Sequence, residues 1–183
     1  VDSLRDNTTA NYNTAVGTEA LLKNTTGAEN TAVGAQALDN NTTGSYNVGI
    51  GRNSLTALTG ASYDVFVGHG SASAITTGAY NTGVGHNTLS TIQDSYSNTA
   101  VGYTALASQT TAVGSTAIGA NAGDAITTGN YNVCVGYVCG DALTTGIDNT
   151  MVGTGAGYVL TTGSENTFIG RSAGVSTTTA GSN

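Results

Sequence analysis

The chain has 183 residues with 27 Gly, no Pro, no Trp and only 8% charged residues, and four basic against eleven acidic side chains give a formal charge of −7. So little charge excludes the highly charged type of disorder. The four cations, Arg5, Lys23, Arg52 and Arg171, lie far apart in sequence and exclude the clustered basic surface that nucleic acid demands. No apolar run of about 18 residues occurs, so no membrane insertion is expected. Two cysteines are too few for a disulfide scaffold.

Internal repetition dominates the sequence. The phrase Asn13-Thr14-Ala15-Val16-Gly17 returns at 30–34, 47–51, 64–68, 81–85, 98–102, 115–119, 132–136, 149–153 and 166–170, so that the closing Gly falls at every multiple of 17 from Gly17 to Gly170. A period without insertion or deletion implies a unit stacked directly on its copies. Seventeen residues are too few for two helices and a turn, and the abundance of Thr, Val, Asn and Gly favours strands and bends over helix. The expected fold is all-β: a parallel β-solenoid of ten coils, each holding two short strands and two bends. Rising about 4.8 Å per coil, it would form a rod roughly 50 Å long. Residues 1–183 are read as a single repeat domain, a segment of a longer fibre or filament, because the chain opens on Val and neither end has an obvious polar cap.

The columns of the repeat predict its faces. Val16, Val33, Ile50, Val67, Val84, Val101, Ile118, Val135, Val152 and Ile169 precede the closing glycines, and this uniform column is expected inside. Thr14, Val48, Val65 and Val133 stand two residues earlier and should face the same way. The residue between varies from Ala15 and Gly49 to Phe66, Cys134, Met151 and Phe168. It is expected to point outward or toward a partner chain, since a packed coil interior would not accept Gly and Phe interchangeably. After the closing Gly, Leu21, Leu38, Leu55, Leu89 and Leu106 give way to Gly123, Gly140, Gly157 and Gly174, while three residues later Asn24 and Asn41 give way to Ile75, Ile92, Ile126, Leu143 and Leu160. The exchange of volume suggests that both positions share one pocket. The Thr-Thr-Gly triplets at 25–27, 42–44, 76–78, 127–129, 144–146 and 161–163 mark a bend whose Gly is expected at positive φ. The Asn column opening the phrase is expected to form a buried, self-satisfying ladder.

The run NTAVGTEALLKNTTGAENTAVGAQAL resembles a repeat of phage tail fibres and of tail-fibre-like bacterial surface proteins. It also resembles the head repeats of trimeric autotransporter adhesins. The resemblance extends from about Asp6 to Thr179. It implies a left-handed parallel β-roll or related β-helix, usually trimeric, on an extracellular or virion fibre. The self-cleaving chaperone domain that often follows such repeats is absent from this sequence. Two coils depart from the phrase: Asp64-Val65-Phe66 replaces Asn-Thr-Ala, and an extra TTAVG stands at 110–114.

Three sets of side chains are candidate sites. His69 and His86 share a column one repeat apart, which would place two imidazoles about 5 Å apart as a possible metal site; the alternative is a solvated column, since no carboxylate or Cys joins them. Tyr46, Tyr63 and Tyr80 form a strip that can stack on sugar rings, as a glycan-binding surface, or on one another as a structural ladder. Cys134 and Cys139 flank a bend and can pair as a disulfide or serve as small buried residues. Catalysis lacks support, because no nucleophile has a base and an orienting group, and no cofactor motif occurs. An ice-binding array would need two aligned Thr columns with a spacer, whereas the regular Thr pair is adjacent and should face opposite ways.

The sequence therefore predicts a non-enzymatic, extracellular, cell-surface or virion shaft whose partner is itself, as a homotrimer or an end-to-end homopolymer. Alternatives are a self-assembling extracellular filament, a module for cell-surface glycan and, least supported, an ice-binding protein.

Overall fold

A computed structural model describes residues 2–179 and 181. It is an all-β parallel solenoid. Ten three-residue strands, β1 (Thr14–Val16), β2 (Thr31–Val33), β3 (Val48–Ile50), β4 (Val65–Val67), β5 (Thr82–Val84), β6 (Thr99–Val101), β7 (Thr116–Ile118), β8 (Val133–Val135), β9 (Thr150–Val152) and β10 (Thr167–Ile169), form one sheet in sequence order. Each residue pairs with its counterpart 17 positions on, as Thr14 with Thr31 and Val16 with Val33. The extra TTAVG at 110–114 forms no strand, and β7 keeps the common register against β6 and β8.

Each coil contains one ladder strand rather than the two expected. The opposite wall is built of turns, because two of its positions are left-handed. Glu19, Gln36 and Asn53 lie at φ 58–60°, and Leu21, Leu38 and Leu55 at φ 50–55°. Left-handed residues interrupt an extended strand, yet this wall is still stitched between coils, with Leu21 N donating to Ala37 O at 3.0 Å and Leu38 N to Ser54 O at 3.0 Å.

The strand faces are the reverse of the sequence expectation. The variable central column points inward: Ala32, Phe66, Ala100, Ala117, Cys134 and Met151 are fully buried. The uniform Val/Ile column points out, and Val16, Ile50, Val84, Ile118 and Ile169 are exposed, Ile118 by 43%. The interior tolerates Gly and Phe in one column because neighbours compensate. Phe66 pairs in register with Gly49 on one side and Gly83 on the other, and a methyl group added at Gly83 would overlap the Phe66 ring. Towards the C-terminus the glycines of the turn wall do the same. A Cβ at Gly140 would lie 2.9 Å from both Cys134 Sγ and Met151 Cε, and one at Gly174 would lie 2.7 Å from the Phe168 ring. The exchange between the two turn-wall positions has the same basis, since a Cβ at Gly123 would stand 2.9 Å from Ile126 Cδ1 and from Leu106 Cδ2. The exchange is imperfect, since Leu55 with Leu58 and Leu89 with Ile92 fill both positions and all four are buried.

Two glycine columns have different causes. The strand-closing glycines sit at φ 119–142°, a region that side chains rarely enter, and a Cβ at Gly17 would lie 2.6 Å from the carbonyl carbon of Gly34. The glycines of the Thr-Thr-Gly bends, by contrast, are not at positive φ, contrary to expectation. They are required by close approach of the next coil: a Cβ at Gly27 would overlap the Gly44 carbonyl oxygen, with Asn24 Oδ1 at 2.7 Å and Asn41 Nδ2 at 3.0 Å.

Because a Cβ at Gly83 would overlap the Phe66 ring and then meet Thr88 Oγ1 at 2.8 Å, Gly83→Ala should destabilise the fold by about 1–3 kcal/mol. In a Phe66→Ala background the same substitution should cost much less. A double-mutant cycle by urea denaturation measures the coupling; additive effects would show that the two positions do not share space.

Candidate functional site

The outer surface carries three features, all generated by stacking one column of side chains at the coil spacing. The first is the outward face of the sheet. Its two columns are Thr14, Thr31, Val48, Val65, Thr82, Thr99, Thr116, Val133, Thr150 and Thr167, and the ten Val and Ile residues two positions later. All twenty are β-branched and none is charged. Thr14, Val65 and Thr167 are exposed and the rest of the Thr/Val column is partly so. This strip was missed in the sequence because its uniformity was read as the mark of an interior.

The second feature is the tyrosine strip. Tyr46 and Tyr63 stack with ring centroids 5.0 Å apart and planes 2° from parallel, and Tyr63 and Tyr80 stack at 5.3 Å and 4°. All three occupy left-handed backbone, at φ 62–66°, a conformation that costs an ordinary residue about 1–2 kcal/mol. Mutual stacking offsets part of that cost. Both faces of Tyr63 are occupied by its neighbours, so a sugar ring can stack only on the outer faces of Tyr46 and Tyr80. The Tyr46 phenol hydrogen-bonds Glu29, whose negative charge, together with the neighbouring Tyr63, holds the phenol above its ordinary pKa. In the same column Tyr131 leans over Gly114, where a Cβ would lie 2.6 Å from its ring.

The third feature is a second ladder one position after the closing Gly. His69 stacks on His86 at 5.2 Å, and His86 on Tyr103 at 5.4 Å. Among the described residues no third His, Cys, Asp or Glu joins the two imidazoles. The arrangement is that of an aromatic ladder; its continuation through Tyr103 is readable as three consecutive ring residues at the repeat spacing.

Cys134 and Cys139 lie inside the eighth strand's coil as free, buried thiols. Cys139 Sγ donates to the Met151 carbonyl at 3.2 Å. The two thiols hydrogen-bond, and that bond, followed by burial, pushes Cys134 well above the ordinary thiol range. A protonated, buried thiol is a poor nucleophile.

Beneath these columns runs the asparagine ladder. From Asn13 to Asn149 each Asn Oδ1 accepts the backbone N–H of the residue one coil on, as Asn30 N to Asn13 Oδ1 at 2.8 Å and Asn47 N to Asn30 Oδ1 at 2.9 Å. Over the same span each Asn Nδ2 donates to the carbonyl 14 residues ahead, as Asn30 to Gly44 at 2.8 Å and Asn132 to Gly146 at 2.7 Å. The ladder saturates the bend carbonyls inside the rod and fixes the surface columns above it.

Since Tyr63 stacks on both sides, Tyr63→Ala should lower stability by about 1 kcal/mol, and more than Tyr131→Ala, which has no ring neighbour in its column. Urea midpoints of the two variants decide this; equal losses would remove stacking as the source of the effect. Compared with protein-family models, curated proteins and solved structures, the chain matches none of them.

Proposed function

We propose that the chain is a non-catalytic shaft segment of an extracellular fibre or adhesin, which associates through its Thr-x-Val/Ile face into a homotrimer and presents its Tyr and His/Tyr columns outward. The observation that supports this reading most is the exposed strip of twenty uncharged β-branched residues. Thirteen of the twenty are Val or Ile and seven are Thr, which makes a continuous uncharged strip at the upper end of the apolar patches that soluble monomers leave open. The strip is only one three-residue strand wide. At about 4.8 Å per coil and roughly 3.3 Å per residue it offers on the order of 500 Å², less than the roughly 800 Å² per partner of a stable dimer. Shared between two neighbours the strip offers no more area, so the choice of a trimer rests on the resemblance of the repeat to trimeric fibres and adhesin heads. Stiffness follows from backbone hydrogen bonds that join every coil to the next.

The same strip favours one second reading. A water-ordering surface calls for two aligned Thr columns with an inward spacer, and the strand face supplies the alignment and the spacer with seven Thr in one column and Val or Ile in the other. These columns lie on the strand face, in Thr-x-Val/Ile, and not at the Thr-Thr bends. In that reading the strip faces water or ice and the protein is a monomer.

Sedimentation equilibrium of the purified chain, with a Val84→Glu/Val101→Glu variant, tests the proposal. A trimer is expected, converted to monomer by the double substitution with an unchanged circular dichroism spectrum. A monomeric wild-type chain would overturn the trimeric shaft, and thermal hysteresis in that monomer, lost in the variant, would establish the water-ordering reading.

A further inference from the structure

The asparagine ladder has one rung with a different chemistry. The series 13, 30, 47, 81, 98, 132, 149 and 166 is Asn, position 115 is Ser, and position 64 is Asp. Asp64 is fully buried and keeps the acceptor half of the pattern. Its Oδ1 takes the Asn81 backbone N–H at 2.8 Å and Asn81 Nδ2 at 3.2 Å, while its own N–H donates to Asn47 Oδ1 at 3.0 Å. The donor half is what differs. On the neighbouring rungs Asn47 Nδ2 donates to Ala61 O at 2.9 Å and Asn81 Nδ2 to Ser95 O at 2.9 Å, each 14 residues ahead. Even Ser115 Oγ donates to Gly129 O at 3.4 Å. At the fourth strand the atom in the Nδ2 position is Asp64 Oδ2, which has no hydrogen-bond partner, and the carbonyl 14 residues ahead is that of Gly78. An ionised Oδ2 would set negative charge in a buried place that every other rung fills with a donor, at a heavy desolvation cost.

We infer that Asp64 is a proton-binding site: its carboxyl is held as the neutral acid and donates through Oδ2–H to the Gly78 carbonyl, completing the ladder while the proton is bound and opening it at the fourth strand when the proton leaves. No co-reactant is needed, since the proton exchanges with water. The rungs on either side present only the amides of Asn47 and Asn81. No charged side chain is among the influences on the carboxyl, whose pKa burial raises from 3.8 to about 7 against the opposing bonds from Asn81. The coil that carries this rung is also the one that seats Phe66 between Gly49 and Gly83, so loss of the proton acts beside the bulkiest fully buried side chain of the described residues.

The sign follows from linkage. An acid whose folded pKa is raised stabilises the fold at low pH. From about 3.8 upward the unfolded chain releases the proton while the folded chain keeps it, so stability falls until about 7 and then levels off. Asp64→Asn replaces the acid by the amide that the other rungs use and removes this dependence.

The test compares thermal and urea unfolding of the full chain and Asp64→Asn from pH 4 to 9. The two should be alike near pH 4. Their unfolding equilibrium constants should then diverge by up to tenfold per pH unit towards pH 7, with the Asn variant the more stable, and the gap should be constant above that. All other titratable groups are common to both chains and cancel in the difference. The Asp64 carboxyl carbon, followed by NMR in the folded wild-type chain, should titrate well above the ordinary Asp range. A stability difference independent of pH, or an Asp64 carboxyl that titrates at the ordinary Asp value, would overturn the inference.

Discussion

The fixed register between coils is the constraint on which the rest of the structure depends. Parallel pairing sets each residue against the one 17 positions away, and the buried Asn column holds that count from inside by bonding both the next backbone N–H and the bend carbonyl. A single inserted residue would break the register across the coil that holds it, turning side chains there to the other face and removing the rung bonds that span it. This is why departures such as Asp64-Val65-Phe66 alter side chains but never spacing.

Given that register, each position becomes a continuous column, and the interior is balanced across columns rather than within one. A large residue in the strand centre is answered by glycines above, below or across the coil: Gly49 and Gly83 around Phe66, Gly140 and Gly157 around Met151, Gly174 against Phe168. Outside, the same stacking turns isolated aromatic residues into ladders. Rings one coil apart fall at about 5 Å whatever their role, so Tyr46–Tyr63–Tyr80 and His69–His86–Tyr103 both become stacked strips.

The period, the parallel solenoid and the Asn ladder were legible in the sequence because each is a one-dimensional property of the repeat. The two faces of the strand were not. The uniform Val/Ile column looked interior, and the column running from Gly49 to Phe66 looked exterior, because compensation between Gly83 and Phe66 lies between coils and cannot be read within one. The bend glycines were misread for a similar reason: Gly27 is small because the Gly44 carbonyl of the next coil, then the Asn24 and Asn41 amides, crowd it, and its φ is not positive. The candidate residues were found in the right columns, but column membership does not say whether rings face a ligand or each other. Tyr63, with both faces covered, shows the difference.

The central claim is that the variable strand-centre column packs inside and the Val/Ile column lies on the surface. The most direct measurement is the folding of two adjacent single variants, Ala117→Asp and Ile118→Asp, followed by circular dichroism and thermal unfolding. Ala117 is fully buried and Ile118 exposed, so the first substitution should lose the β-sheet signal or melt far below the wild type, as a buried unpaired charge demands. The second should keep the native spectrum. The opposite outcome, with Ala117→Asp tolerated and Ile118→Asp unfolded, would contradict the account and restore the inverted strand.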